Sequence, residues 1–371
     1  MESRQEDQAR LEGGPGVTAL GDDANAGTTA VRDDHRFDEA ALAAWMTGHV
    51  DGFAGPMRVE QFKGGQSNPT YKLVTPGRNY VLRRKPPGPI LKGAHAVERE
   101  AQILSALGLT DFPVAYVYGL CTDDSVIGTW FFVMAMVEGR IFWDATFPGV
   151  DQAQRGAYFD AMNETIARLH LIDPSAVGLD DYGRSGNYFE RQIARWSRQY
   201  LEDDAAGRDA DMDRLIEWLP ANIPPGNDNA VVHGDFRCDN MIFHPTEPRI
   251  LAVLDWELST LGHPLSDFAY HAIMYRMPPD IVAGLAGADL AALGIPSEAD
   301  YVAAYCRRTG RASIPAYDFY IAFNFFRLAA IFHGIKGRVI RGTAASAHAR
   351  ERAASLPRLT KLGRDAMEAC R

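Results

Sequence analysis

Between Met57 and Val137 the apolar positions fall mainly at every second residue, and beyond Gly139 they fall mainly at every third or fourth. The segments MRVEQFKG (57–64), TYKLVTP (70–76), NYVLRRK (79–85), VAYVYGLC (114–121) and TWFFVMAMV (129–137) therefore predict strands. One helical spacing precedes them and another interrupts them. AALAAWMTGHV (40–50) is the first; in the other, AHAVEREAQILSALG (94–108), Val97, Ala101, Leu104 and Leu107 lie three to four apart and Gly108 is the stop. After Gly139 the helical segments YFDAMNETIARLHLI (158–172), YFERQIARWSRQYLEDD (188–204) and DMDRLIEWL (211–219) follow. Strand signals return only at AVVH (230–233), NMIFH (240–244) and RILAVLDW (249–256), before helices resume. The apolar-rich FYIAFNFFRLAAIF (319–332) predicts a buried helix. The pattern is thus α+β, with a β-rich lobe over 37–137 and a larger, mostly helical lobe over 138–371. Residues 1–36, rich in Gly, Ala and Asp without apolar periodicity, predict a disordered tail carrying no chemistry.

At 371 residues the chain suits two domains or one bilobal enzyme, and two lobes imply a cleft. The net charge of −10 argues against a nucleic-acid binder that relies on a global positive field. Cys121, Cys238, Cys306 and Cys370 show no CxxC spacing, so neither a disulfide framework nor a thiolate zinc site is predicted. No apolar run reaches the roughly 18 residues of a membrane span, and MESRQEDQARLEGG lacks a signal-peptide core, so the expectation is a cytoplasmic protein without membrane association. The sequence holds no GxxxxGK[ST] loop, no GxGxxG after a strand, no HExxH and no GxSxG, which sets aside the P-loop, dinucleotide, zincin and hydrolase readings.

The chemistry concentrates in His233-Gly234-Asp235-Phe236-Arg237-Cys238-Asp239-Asn240 and in Asp255-Trp256-Glu257 after the strand LAVL. A loop carrying Asp and Asn five residues apart, then a strand and a further Asp, can converge hard oxygen ligands on one Mg2+. Asp235 can take a proton from a substrate hydroxyl while Asn240 and Asp255 hold the metal against a polyphosphate, the division of labour in phosphoryl transfer.

HGDxxxxN followed by a strand and DWE, with GHPLSDFAY downstream, resembles the aminoglycoside phosphotransferase and choline kinase superfamily. The resemblance runs from about Val59 to Gly342 and implies a bilobal protein-kinase-like fold whose small lobe is an antiparallel sheet with one main helix. It implies an ATP- and Mg2+-dependent transfer to a small hydroxylated acceptor. Gly64, Gly65, Gln66, Ser67 and Asn68, between two strand signals, resemble the nucleotide-covering loop. Arg83 stands where the family's phosphate-contacting lysine is expected, with Lys85 on the same strand face as the alternative. Glu100 matches the acid that pairs with this cation, Glu98 being the other candidate, and Met136 and Val137 match the hinge backbone that meets an adenine edge. GGQSNPTY, VLRRKPPG, RQIARWSRQY and FRLAAIFHGIKGR further resemble the kinase-like domain fused to acyl-CoA dehydrogenases, which implies a hydroxyacyl-CoA as one acceptor class.

Around these residues, His233 is read as a buttress of the loop, Asp267 as a buried acid orienting it through backbone N–H groups, and His170 as a packed core histidine. Trp143, Trp196 and Trp218 are read as core, with Trp196 the one that could line an acceptor pocket. The last 65 residues hold 13 Lys or Arg against four Asp or Glu, so Arg327, Lys336, Arg338 or Arg341 could meet a phosphate-bearing acceptor or simply be solvated. Two other functions compete: a non-catalytic nucleotide- or acyl-CoA-binding module, suggested by arginine in place of lysine, and a metal-dependent hydrolase using His233, Asp235, Asp255 and His263. An acceptor of the aminoglycoside or choline type is the alternative within the kinase reading.

Overall fold

The computed structural model describes residues 27–63, 68–88, 95–184, 186–344 and 348–370. The small lobe is a six-stranded sheet in the order β1-β2-β3-β4-β6-β5, antiparallel throughout, with β1 Thr28–Thr29, β2 Arg58–Phe62, β3 Thr70–Val74, β4 Tyr80–Arg84, β5 Val117–Cys121 and β6 Phe131–Ala135. Alternation sorts each strand's side chains to two faces. Tyr71, Leu73, Tyr80, Leu82 and Val133 pack against Leu42 and Met46 of helix α1 (Glu39–His49), which sends Val81 and Arg83 of β4 to the opposite face. There lies α2 (Val97–Leu107), ended by Gly108 as its spacing predicts.

The expected tail ends earlier than residue 36. Thr28 and Thr29 pair with Phe62 and Gln61, and the carbonyl of His35 accepts from Tyr71 Oη at 3.0 Å and from Arg84 at 3.2 Å. Arg84 is buried, and the His35 carbonyl is one of its two acceptors, the other being the Ile127 carbonyl at 3.4 Å, so the segment from Thr28 to His35 belongs to the small lobe.

The large lobe packs α3 (Gln152–Leu171), α4 (Tyr188–Glu202), α5 (Ala210–Ala221), α6 (Pro264–Ala272), α7 (Glu298–Arg308), α8 (Tyr317–Ile340) and α9 (Ala349–Ala369) around one apolar core. Its strands form two ribbons: β7 (Ala230–Val232) with β10 (Thr260–Gly262), and β8 (Met241–Phe243) with β9 (Ile250–Val253). Trp196 lies in the core as read, and Trp218 packs beside Phe319. Trp143 departs from its reading: it is 36% exposed. None of the helices among the described residues is long and apolar enough to cross a membrane.

The lobes are joined at Gly139 and Arg140. Arg140 and Phe243 exchange both backbone hydrogen bonds at 2.8 Å. A Cβ on Gly139 would stand 2.3 Å from the Phe243 carbonyl oxygen, so only glycine allows this approach.

Candidate active site

The segment 233–240 connects β7 to β8, and almost every polar backbone group at its start is tied down. Gly234 has φ +83°, and a Cβ there would meet the Leu258 carbonyl oxygen at 2.8 Å. The backbone N–H groups of His233 and Gly234 donate to the two carboxylate oxygens of Asp267, at 2.7 and 2.8 Å. His170 Nε2 donates to the same carboxylate at 3.2 Å, and its Nδ1 accepts from Tyr305 Oη at 2.7 Å. Burial alone would raise the Asp267 carboxyl, but the hydrogen bonds from His170 and the loop backbone outweigh it and hold the group below the usual range. His170 is therefore buried, as read, and has the added task of bracing Asp267.

His233 accepts the Asp235 N–H at Nδ1 (3.1 Å) and donates from Nε2 to the Leu254 carbonyl (2.8 Å), so both ring nitrogens are used in holding the loop. Arg327 reaches from α8 to the Gly234 carbonyl at 2.8 Å and is buried. His271 donates to the Phe236 carbonyl at 3.0 Å and accepts from Tyr301 Oη at 2.6 Å. Burial lowers its imidazole to about 4, which keeps the ring neutral.

The Asp235 carboxylate has two hydrogen-bond donors and a cation around it. Oδ2 accepts from Asn240 Nδ2 at 3.0 Å, Oδ1 accepts from Tyr270 Oη in a short hydrogen bond, and Arg237 Nε stands 3.1 Å from Oδ1 as an ion pair. Arg237 also pairs with Asp239 at 2.9 Å. Burial raises the Tyr270 phenol, which stays a donor. Asn240 Nδ2 donates a second time, to the Asp235 carbonyl at 2.9 Å, so its Oδ1 is turned away from Asp235. The Leu254 N–H donates to the Asn240 carbonyl at 2.8 Å and brings Asp255 alongside. Asp255 is a non-glycine residue in the left-handed region (φ 62°, ψ 62°), a strained backbone that recurs at functional sites.

Asn240 and Asp255 thus offer an all-oxygen pair, which fits Mg2+, a cation that takes one or two protein oxygens and completes its shell with phosphates and water. No group of three or more His, Cys, Asp or Glu is placed to hold a metal among the described residues. The hydrolase reading loses its ligands for the same reason: His233 is committed to the loop, and His263 is buried and caps the start of α6.

Across the cleft, Arg83 Nε lies 2.7 Å from Glu100 Oε2 and its Nη2 lies 2.9 Å from Asp255 Oδ1, so one guanidinium joins the sheet, α2 and the strand end of the large lobe. Glu257 stands at 3.7 Å. Burial pushes the Glu100 carboxyl up to about 7, against the pull of Arg83. Lys85 has its own partner, Glu98 at 2.9 Å, and lies 4.1 Å from the centre of the Trp130 ring. The two cations and two acids left open by the sequence are therefore sorted into two separate pairs.

Gly64, Gly65, Gln66 and Ser67 lie outside the described residues. Asn68 corrects its expected place in a nucleotide loop: it is fully buried, its Nδ2 donates to Glu100 at 2.8 Å and its Oδ1 accepts from His95 at 3.0 Å. An amide with both ends spent inside the protein braces the acid and faces no ligand. Met136 and Val137 are half-buried just beyond β6, where the chain crosses between lobes. Arg327 is withdrawn from the acceptor candidates by its burial on Gly234, and Arg341 is bound to Asp203 at 2.6 Å. Tyr270, Arg237 and His271 escaped the sequence reading, although Tyr270 sits three residues after Asp267 on the same helical face.

With this geometry described, comparison with known proteins is decisive. Residues 58–320 match the phosphotransferase enzyme family, most of the chain. The chain belongs to that family. Acyl-CoA dehydrogenase family member 11 of Gallus gallus is 44% identical over 347 residues, covering 91% of this chain and 44% of the relative. The chain thus spans less than half the length of such curated relatives. A crystal structure from Ralstonia eutropha JMP134, provisionally named an aminoglycoside phosphotransferase, is 50% identical with a TM-score of 0.83, covering 90% of this chain and 99% of the other. More distant phosphotransferases share the fold alone. A choline kinase from Cryptosporidium parvum has a TM-score of 0.58 at 11% identity, covering 88% of this chain and 99% of the other. An APH(4)-Ia complex with AMP-PNP and hygromycin B has 0.57 at 14%, covering 88% and 98%. The bilobal kinase-like architecture expected from the motifs is the one observed.

Proposed function

We propose that the protein is an ATP- and Mg2+-dependent small-molecule kinase, with a hydroxyacyl-CoA as acceptor. The observation that carries the reading is the convergence of Asp235, Asn240 and Asp255 at one end of the cleft with Arg83, fixed by Glu100, facing Asp255 from the other lobe. In this reading Arg83 meets the nucleotide phosphates, and the hinge backbone of Met136 and Val137 meets the base. Asn240 and Asp255 hold Mg2+, which when bound neutralises polyphosphate charge. Asp235 takes the acceptor hydroxyl proton while that oxygen bonds to the γ-phosphorus and the bond to the β-phosphate oxygen breaks, leaving a phosphate ester and ADP. Because the surrounding hydrogen bonds fix the loop beforehand, little reorganisation accompanies transfer.

For the acceptor, support comes from the relatives named as acyl-CoA dehydrogenase family members, whose longer chains include a segment like this one. On α8, Lys336 and Arg338 remain as cations toward solvent. The test is ADP release with Mg-ATP across hydroxyacyl-CoAs, free hydroxy acids, choline, sugars and aminoglycosides, with Asp235→Asn as the blank. Turnover confined to the CoA esters, lost in Asp235→Asn with ATP binding retained, is expected. Full activity in that variant refutes the mechanism, and ATP binding without ADP across the panel would instead mark a non-catalytic binding module.

A further inference from the structure

Tyr270 stands where nothing in the proposed transfer requires it. Its hydroxyl donates to Asp235 Oδ1, the oxygen that is also ion-paired with Arg237 Nε at 3.1 Å, while Asn240 occupies Oδ2. Each carboxylate oxygen therefore already has a hydrogen-bond donor before an acceptor arrives, and on Oδ1 that donor is the phenol. The phenol is the same functional group as the acceptor, an alcohol donating to the base. It is held there from two sides: the Arg327 guanidinium lies 5.2 Å from the centre of its ring while donating to the Gly234 carbonyl, and α6 carries Asp267, the anchor of the loop. Behind it is a small, mainly apolar cavity of about 30 Å³, lined among others by Cys238, Met274, Met277 and Leu328, large enough for one or two waters.

We infer that Tyr270 is a guard of the catalytic base: its hydroxyl occupies the acceptor position on Asp235 Oδ1 when no acceptor is bound, and so keeps water from being phosphorylated in the acceptor's place. The inference rests on the kinase reading above. In the reaction prevented, a water O–H gives its proton to Asp235 as the oxygen bonds to the γ-phosphorus and the bond to the β-phosphate oxygen breaks, releasing phosphate and ADP. An acceptor hydroxyl displaces the phenol; water, competing with a hydroxyl already fixed in the protein, does so poorly. Tyr270 is thus a positioning residue that sets the ratio of transfer to hydrolysis.

The experiment compares wild type with Tyr270→Phe, which keeps the ring beneath Arg327, in Mg-ATP with and without the acceptor identified by the panel. Free phosphate and ADP are measured together with the unfolding midpoint. Loss of one hydrogen bond to a charged group corresponds to about a tenfold rise in acceptor-independent phosphate release, with acceptor-saturated turnover kept within about threefold. Acceptor KM falls, because the phenol no longer competes. A second variant, Tyr270→Met, removes the donor without the ring and must raise background release as well. Unchanged background release with acceptor-dependent turnover intact overturns this inference alone, as does a parallel fall of both rates, the mark of a merely structural role. A wild-type protein that binds ATP and forms no ADP with any acceptor overturns the kinase reading and this inference with it.

Discussion

Replacing Asp267 by Asn tests whether the catalytic loop is held mainly from below. The side chain keeps its shape, yet one of its two oxygens becomes an NH2 group. In the native site both oxygens accept from backbone N–H groups, at 2.7 and 2.8 Å, and one also meets His170 Nε2 at 3.2 Å. The amide can satisfy only one of the two backbone donors, and faces the other with a donor of its own. A lost hydrogen bond to a charged acceptor costs about 1.5–3 kcal/mol, and a buried donor left without a partner costs about 1–3 kcal/mol. These overlap, so the expected loss is about 3–5 kcal/mol. For a protein of this size that lowers Tm by about 4–7 °C. Turnover should fall further than nucleotide affinity does, since the displaced atoms carry Asp235 and not Arg83, the cation proposed to meet the phosphates. Differential scanning calorimetry, isothermal ATP titration and steady-state ADP release measure stability, affinity and turnover in turn. A loss below about 1 kcal/mol, the range of an ordinary surface substitution, would refute the view that Asp267 organises the loop.

Three further outcomes follow from the same geometry. Arg83→Met should cut kcat/KM by about a hundredfold or more because it strands Glu100 and Asp255, whereas Lys85→Met, which breaks a partly exposed pair, should cost under about 1 kcal/mol in stability; steady-state kinetics and urea titration of both variants check this. Burial lowers His263 and His271 to about 4, below the ordinary value near 6.5, so the unfolded chain binds protons that the folded one refuses; stability is complete above about pH 6.5 and declines as pH falls toward 4, by about 2 kcal/mol per histidine at pH 5. Urea midpoints at pH 7.5 and 5 measure the slope, which His271→Gln should reduce. Gly139→Ala, whose Cβ would overlap the Phe243 carbonyl oxygen, should destabilise by more than about 2 kcal/mol and loosen the junction of the lobes, read by thermal melting.

Where a functional group follows the period of its own strand or helix, the sequence was enough to place it. Period-two alternation set Arg83 opposite the apolar face of β4, whereas Glu100 came from the family resemblance, with Glu98 left open beside it. The HGDxxxxN spacing likewise put Asn240 within reach of Asp235. What escaped depended on partners distant in the chain. Asn68 reads as a loop residue until Glu100, 32 residues away, shows where its amide is spent. The Thr28–Thr29 strand is too short to carry a periodic signal, and its neighbourhood is recruited by Gln61, Tyr71 and Arg84. Arg327 offered a clue that composition obscured: a lone cation inside FNFFRLAAIF has no solvent to reach, so a buried acceptor was implied. Counting it with the solvated arginines of the C-terminal region hid that.

The placement of α2 bears on how such a protein could be controlled. Val97, Ile103, Leu104 and Leu107 belong to the same apolar core as α3 and α6, and Arg99 donates to the Tyr182 carbonyl at 2.6 Å. Swinging this helix outward to release Arg83 would expose four aliphatic side chains, each worth about 1.5–3 kcal/mol. The helix is therefore a fixed wall, and the ion pair it carries is assembled before any substrate arrives. Flux through a site built this way follows the supply of nucleotide and acceptor, and a covalent mark would have to act somewhere other than on this helix to throttle it.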